Sequence, residues 1–164
     1  MDANRTNMIR SEHLQAVLKN IPKLFRNFPA DSFREFLECG TLEHFNQGQV
    51  VISEQENLTN RGWLVTKGSI SIYLNGVQIE RIKEGDFLGE TFIFKKRRNP
   101  VTVRAESDVS MISFHREPIL KYFRDRSDRL FKLFIMNMLQ YQNDQLFRVH
   151  EKYTRLYKAA DSKL

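Results

Sequence analysis

The chain has 164 residues, of which 41% are hydrophobic and 28% charged, with 13 Phe and a formal net charge of +6. That size holds one domain with a helical appendage, and excludes a barrel of alternating strands and helices or a Rossmann domain joined to a substrate domain. The apolar content excludes global disorder, no apolar run approaches the roughly 20 residues that span a bilayer, and the single cysteine, Cys39, excludes an intrachain disulfide or a Cys-based zinc site.

Residues 9–40 read as helical. Leu14, Val17, Leu18 and Ile21 recur at helical spacing until Pro22 interrupts. Phe25, Phe28 and Pro29 follow. Asp31 or Ser32 is positioned to cap a short helix carrying Phe33, Phe36 and Leu37 and ending at Gly40, with Cys39 as a small buried hydrophobe.

Residues 41–115 change to short strands punctuated by Gly. Val50, Val51 and Ile52 follow Gly48, and Trp63, Leu64 and Val65 follow Gly62. Ile70, Ile72 and Leu74 alternate with small polar residues. Asn75-Gly76 is then a strong hairpin signal, because both central residues of such a turn need positive φ. Val77, Ile79 and Ile82 form the return strand, Gly85-Asp86 turns again before Phe87 and Leu88, and Val101, Val103 and Ala105 alternate. Val109, Met111, Ile112 and Phe114 close the series. This pattern predicts an α+β, mainly β fold: an antiparallel β-roll or jelly roll with Trp63, Val65, Ile70, Ile72 and Phe87 buried, flanked by helices. Lys95, Lys96, Arg97, Arg98 and Arg104 form a basic run without an acid.

Residues 116–164 return to helix. Glu117-Pro118 marks a first turn, and after Ser127 no Gly or Pro occurs to the end of the sequence. Ile135, Gln142, Val149 and Leu156 repeat every seven residues, with Leu139, Leu146 and Tyr153 between them. This heptad seam has one polar member and predicts a parallel homodimer through Ile135, Leu139, Gln142, Leu146, Val149 and Tyr153. Phe131, Phe134 and Met138 widen its first part into a face for the roll. Arg148, Lys152, Arg155 and Lys158 read as its solvent face. The expected division is a helical extension over 1–20, a roll over 21–125 and a dimerisation helix over 126–164.

Several spaced motifs in this order resemble the cyclic nucleotide-binding domain family, which includes catabolite activator protein and the regulatory subunits of protein kinase A. They are Ile21-Pro22-Lys23-Leu24-Phe25, Phe45-Asn46-Gln47-Gly48-Gln49-Val50-Val51, Trp63 to Ile70 with Gly68 within it, Gly85-Asp86-Phe87-Leu88-Gly89-Glu90, and Thr102-Val103-Arg104-Ala105. The resemblance covers roughly residues 20–150 and implies a phosphate-binding cassette over 89–102. In that family Glu90 would accept a hydrogen bond from the ribose 2′-hydroxyl and Gly89 would let the backbone approach the sugar. A short helix start, free backbone N–H groups and one Arg would take the cyclic phosphate. The implied ligand-binding set is Gly89, Glu90, Thr91, Phe92, Arg98, Asn99 and Thr102, and the implied ligand is cAMP or another cyclic nucleotide or related phosphate.

The phosphate end departs from the family pattern. Asn99 stands where the family has Arg, and brings neither charge nor fork. Pro100 has no N–H to offer and no hydroxyl of the kind associated with cGMP preference. Phe92 is bulky for a pocket wall, and Arg98 is one residue early, facing the opposite way in a strand unless a bulge shifts it. The chain is accordingly expected to be a regulatory, non-catalytic sensor with a non-standard phosphate site. The alternatives are a degenerate domain acting as an interaction scaffold, and a fragment of a catabolite-activator-type transcription regulator. The basic run Lys95–Arg98 is a second anion site, a docking surface for an acidic protein partner, or a solvated loop. His13, His44, His115 and His150 are scattered, and no nucleophile elbow, paired-His metal motif or Walker loop occurs, so neither catalysis nor a resident metal or cofactor is expected. Sequence-specific DNA binding is not expected, since a helix-turn-helix module would need further residues beyond Leu164. The single cysteine, and an N-terminus without an apolar signal core, lead us to expect a cytoplasmic setting.

Overall fold

The computed structural model describes residue 17 and residues 21–54, 60–94 and 101–161. A 3-10 turn over Lys23–Phe25 leads into helix α1 (Ala30–Glu38). Among the described residues eight strands follow: β1 (Thr41–Phe45), β2 (Val50–Ile52), β3 (Arg61–Lys67), β4 (Ser69–Leu74), β5 (Val77–Lys83), β6 (Phe87–Leu88), β7 (Thr102–Ala105) and β8 (Val109–His115). Helix α2 (Arg116–Arg124) and the long helix α3 (Asp128–Asp161) complete the order.

The strands form two antiparallel four-stranded sheets, ordered β1-β8-β3-β6 and β2-β7-β4-β5. Alternation along β3 and β8 explains the layering. Trp63, Val65 and Met111 join Ile52, Ile70, Ile72, Ile82, Leu88, Val103 and Ala105 in one core between the sheets. Leu64, Ile112 and Phe114 belong to a second core, on the opposite face of the first sheet, under the helices. The first sheet is therefore covered on both faces, as the apolar sequences of β3 and β8 require. Trp63, Val65, Ile70, Ile72 and Phe87 are all buried, as expected.

The helix-side core is aromatic. Phe36 of α1 lies 4.8 Å from Phe25, 5.0 Å from Phe114 and 5.6 Å from Phe134 between ring centroids. Polar side chains fix the helices on this core. Asn137 of α3 donates to Leu24 O at 3.1 Å and Arg26 O at 2.8 Å, and Tyr122 of α2 donates to Ser32 O at 2.7 Å. Arg126 binds Glu35 and stacks 3.8 Å above the Tyr122 ring.

Two expectations need local correction. Helix α1 starts at Ala30 with Pro29 at the cap and no side-chain cap bond, so Asp31 serves the first turn and neither Asp31 nor Ser32 is the cap. The Asn75-Gly76 turn forms with φ of 49° and 77°, joining Leu74 to Val77. The return strand then departs from simple alternation, because the register shifts between Ile72 and Tyr73. Ile72 pairs with Glu80 and Tyr73 with Gln78, so Ile79 is left out of the pairing. Val77 and Ile79 are consequently exposed, while Ile82 remains buried. Among the described residues, no helix is long and apolar enough to cross a membrane.

Candidate ligand-binding site

The segment after β5 is built to present one carboxylate. Gly85 adopts φ of +86° and turns the chain into β6, which pairs with β3 through Leu88–Trp63 and Phe87–Leu64. Gly89 follows with φ of +70°, a conformation disfavoured for L side chains, and a Cβ there would lie 3.1 Å from Arg61 O. Glu90 then opens a 3-10 turn over Glu90–Ile93, closed by Phe92 N–H donating to Gly89 O at 2.9 Å. Arg116 Nε holds the far end of this turn by donating to Ile93 O at 3.0 Å.

The turn aims its residues apart. Phe92 stacks on Phe87 with centroids 6.0 Å apart and belongs to the helix-side aromatic core. Its bulk is taken up there: it packs beside Gly62, where a Cβ would come within 2.8 Å of the Phe92 ring. Phe92, a member of the expected ligand set, is thus buried in the helix-side core. Glu90 goes the other way, towards α3, where Gln142 Nε2 donates to its Oε1. Burial raises the Glu90 carboxyl above the usual carboxylate range, with nearby Glu80 adding to the rise and a backbone hydrogen bond opposing it.

Helix α3 closes over this carboxylate. The buried Tyr141 donates to Phe87 O at 3.3 Å and accepts from Gln145 Nε2 at 3.1 Å. Its hydroxyl is pushed up to about 12, first by burial and then by Asp86 and Glu90. Glu80 of β5 is also raised by burial, with Arg148 the leading opposing influence. Beyond it, a groove of about 550 Å³ runs between β5 and α3, lined by Ile79, Glu80, Arg81, Arg148, Val149 and Lys152 among others. Lys152 Nζ bridges this groove by donating to Ile79 O at 3.0 Å.

Of the expected ligand set, Gly89 and Glu90 stand at the carboxylate site and Thr91 lies in the same turn. Thr102 begins β7 opposite Tyr73, and alternation with the inward Val103 puts it on the outer face of its sheet. Arg98 and Asn99, with the whole basic run Lys95–Arg98 and Pro100, lie outside the described residues. Sequence reasoning did not bring Tyr141, Gln142 and Gln145 to this site. The available signal was the polar Gln142 in an otherwise apolar seam.

Of the expected seam, Leu139, Leu146, Val149 and Tyr153 are exposed, whereas Ile135 packs against the aromatic core of its own chain and Gln142 bonds Glu90. Every residue from Leu146 to Asp161 is exposed.

Comparisons with known proteins agree with this fold. The family model described as "Cyclic nucleotide-binding domain" matches residues 42–126. The chain is 24% identical over 142 residues to the cGMP-dependent 3′,5′-cGMP phosphodiesterase A of Dictyostelium discoideum, a match covering 84% of this chain and 16% of that protein. The fold is similar to the N-terminal domain of a transcriptional regulator from Streptomyces coelicolor A3(2), with a TM-score of 0.69 and 12% identity over 79% of this chain and 94% of that one. It is also similar to the catabolite activator protein of Thermus thermophilus, with a TM-score of 0.67 and 18% identity over 82% of this chain and 62% of that one.

Proposed function

The chain belongs to the cyclic nucleotide-binding domain family, and from that premise we propose that it is a regulatory, non-catalytic sensor that holds a cyclic nucleotide by its ribose more firmly than by its phosphate. The observation that carries this reading is the Gly89-Glu90 corner: a glycine that admits close approach, followed by a part-buried carboxylate under α3. A carboxylate withdrawn from water needs donors, and a ribose 2′-hydroxyl is one. At the phosphate end, Asn99 replaces the guanidinium and Pro100 removes an N–H, which weakens the grip on the anion. Calorimetric titration with cAMP and its 2′-deoxy analogue tests the reading, because only the former offers the group that Glu90 takes.

The signal leaves the domain through α3. Its last turns, which flank the groove beside β5, stay exposed, with Leu139, Leu146, Val149, Tyr153 and Leu156 along one stripe. Such a stripe suits a second copy of the same helix, packed as a parallel homodimer. In that dimer Ile135 stays on its own core, and the seam is carried by the residues after it. The chain with Leu146→Glu and Tyr153→Glu should sediment as a monomer with an unchanged circular dichroism spectrum, while the unmodified chain sediments as a dimer. A monomeric unmodified chain at high micromolar concentration contradicts the dimer.

A further inference from the structure

The Glu90 carboxylate has a donor from its own chain. Gln142 lies on α3 between the buried face made by Phe134, Met138 and Tyr141 and the exposed stripe made by Leu139, Leu146 and Tyr153. From that boundary its carboxamide reaches across to Glu90 Oε1. The contact answers a physical need. Glu90 is part-buried, the neighbouring Glu80 repels its charge, and a carboxylate withdrawn from water is stabilised by each donor added to its one backbone hydrogen bond. Other polar side chains of α3 are committed elsewhere: Tyr141 to Phe87 O, Gln145 to Tyr141 and Lys152 to Ile79 O.

We propose that Gln142 is an internal competitor for the ligand at Glu90: a ribose hydroxyl that takes Glu90 Oε1 exchanges with the Gln142 carboxamide bound there. The inference rests on the reading of Glu90 as the ribose acceptor, and it assigns Gln142 as the residue that sets affinity at that site. Exchange of one donor for another offsets part of the gain, so the ribose contact adds less net affinity while Gln142 is present than it would without it. Removing Gln142 withdraws the donor from the unliganded protein alone, and the ligand then gains the full contact. The exchange also frees Gln142, at the edge of the exposed stripe, to turn towards the dimer seam, which ties occupancy of the pocket to the assembly of α3.

The test is calorimetric titration of cAMP and cGMP into the full chain, Gln142→Ala, Glu90→Ala, the double variant, and Asn143→Ala as an exposed control on the same helix. Gln142→Ala, shown folded by circular dichroism, should bind about tenfold more tightly than the unmodified chain, as expected when a hydrogen bond to a charged group is no longer competed for. The gain should vanish in the Glu90→Ala background, and Asn143→Ala should match the unmodified chain. Gln142→Ala binding with equal or lower affinity than an unmodified chain that does bind overturns the competitor and leaves the sensor reading intact. A tightening that persists without Glu90 also overturns it. Silence of every protein towards both nucleotides overturns the sensor reading itself, and the competitor with it.

Discussion

Phe36→Ala should destabilise the chain by about 3–5 kcal/mol, a large part of the roughly 5–15 kcal/mol that holds a domain of this size together. Phe36 is fully buried where α1, α2, α3 and the first sheet meet. Its ring contacts Phe25, Phe114, Tyr122, Phe123 and Phe134, with centroids between 4.8 and 6.0 Å. Those neighbours come from four different elements, so no single segment can move in to fill the cavity. The lost transfer energy and the lost ring contacts therefore add. Phe94→Ala is the natural comparison: Phe94 is 47% exposed, and its truncation should cost less than about 1 kcal/mol. Urea unfolding of the three proteins measures the difference. A Phe36→Ala cost near that of Phe94→Ala would contradict the packing described for the helix-side core.

The second large effect is a gain. Asn99→Arg should tighten cAMP by about tenfold or more, because a charge-assisted, bidentate contact to a desolvated phosphate is worth roughly 1.5–3 kcal/mol. In the proposed reading Asn99 stands where the resemblance puts the family's arginine, so the new guanidinium would supply the anion partner. Pro100 limits the gain, since no side chain replaces its missing N–H. The same titration compares the variant with the unmodified chain. An unchanged affinity in a folded Asn99→Arg protein that binds cAMP would mean that another cation already serves the phosphate, with Arg98 the nearest in sequence.

The roll was legible because its signals are local. Asn75-Gly76 could form only a tight turn of positive φ, and the alternation of Ile70 and Ile72 fixed which face of β4 meets the core. The exposure of Val77 and Ile79 was not legible, since a bulge depends on how two strands are paired and leaves no mark in the composition of either. At the site, Gly89 and Glu90 could be read from their motif, whereas the fate of Phe92 could not. Spacing shows that Phe92 follows Glu90 by two residues. It does not show that a 3-10 turn sends the two side chains to opposite sides. Gln142 was visible as the polar member of a heptad, and a heptad rule assigns such a residue to register. Its contact with Glu90 spans 52 positions in the sequence and exists only because α3 folds back over β6.

We expect this chain to recognise a cyclic nucleotide through the ribose contact at Glu90. Calorimetric titration of the unmodified chain with cAMP and with 2′-deoxy-cAMP tests that contact. Saturable binding of one cAMP per chain is predicted, with the 2′-deoxy analogue weaker by several-fold in the unmodified chain, where Gln142 replaces the missing donor, and by about tenfold or more in Gln142→Ala. Equal binding of the two nucleotides in both proteins, or no binding of either, would contradict it.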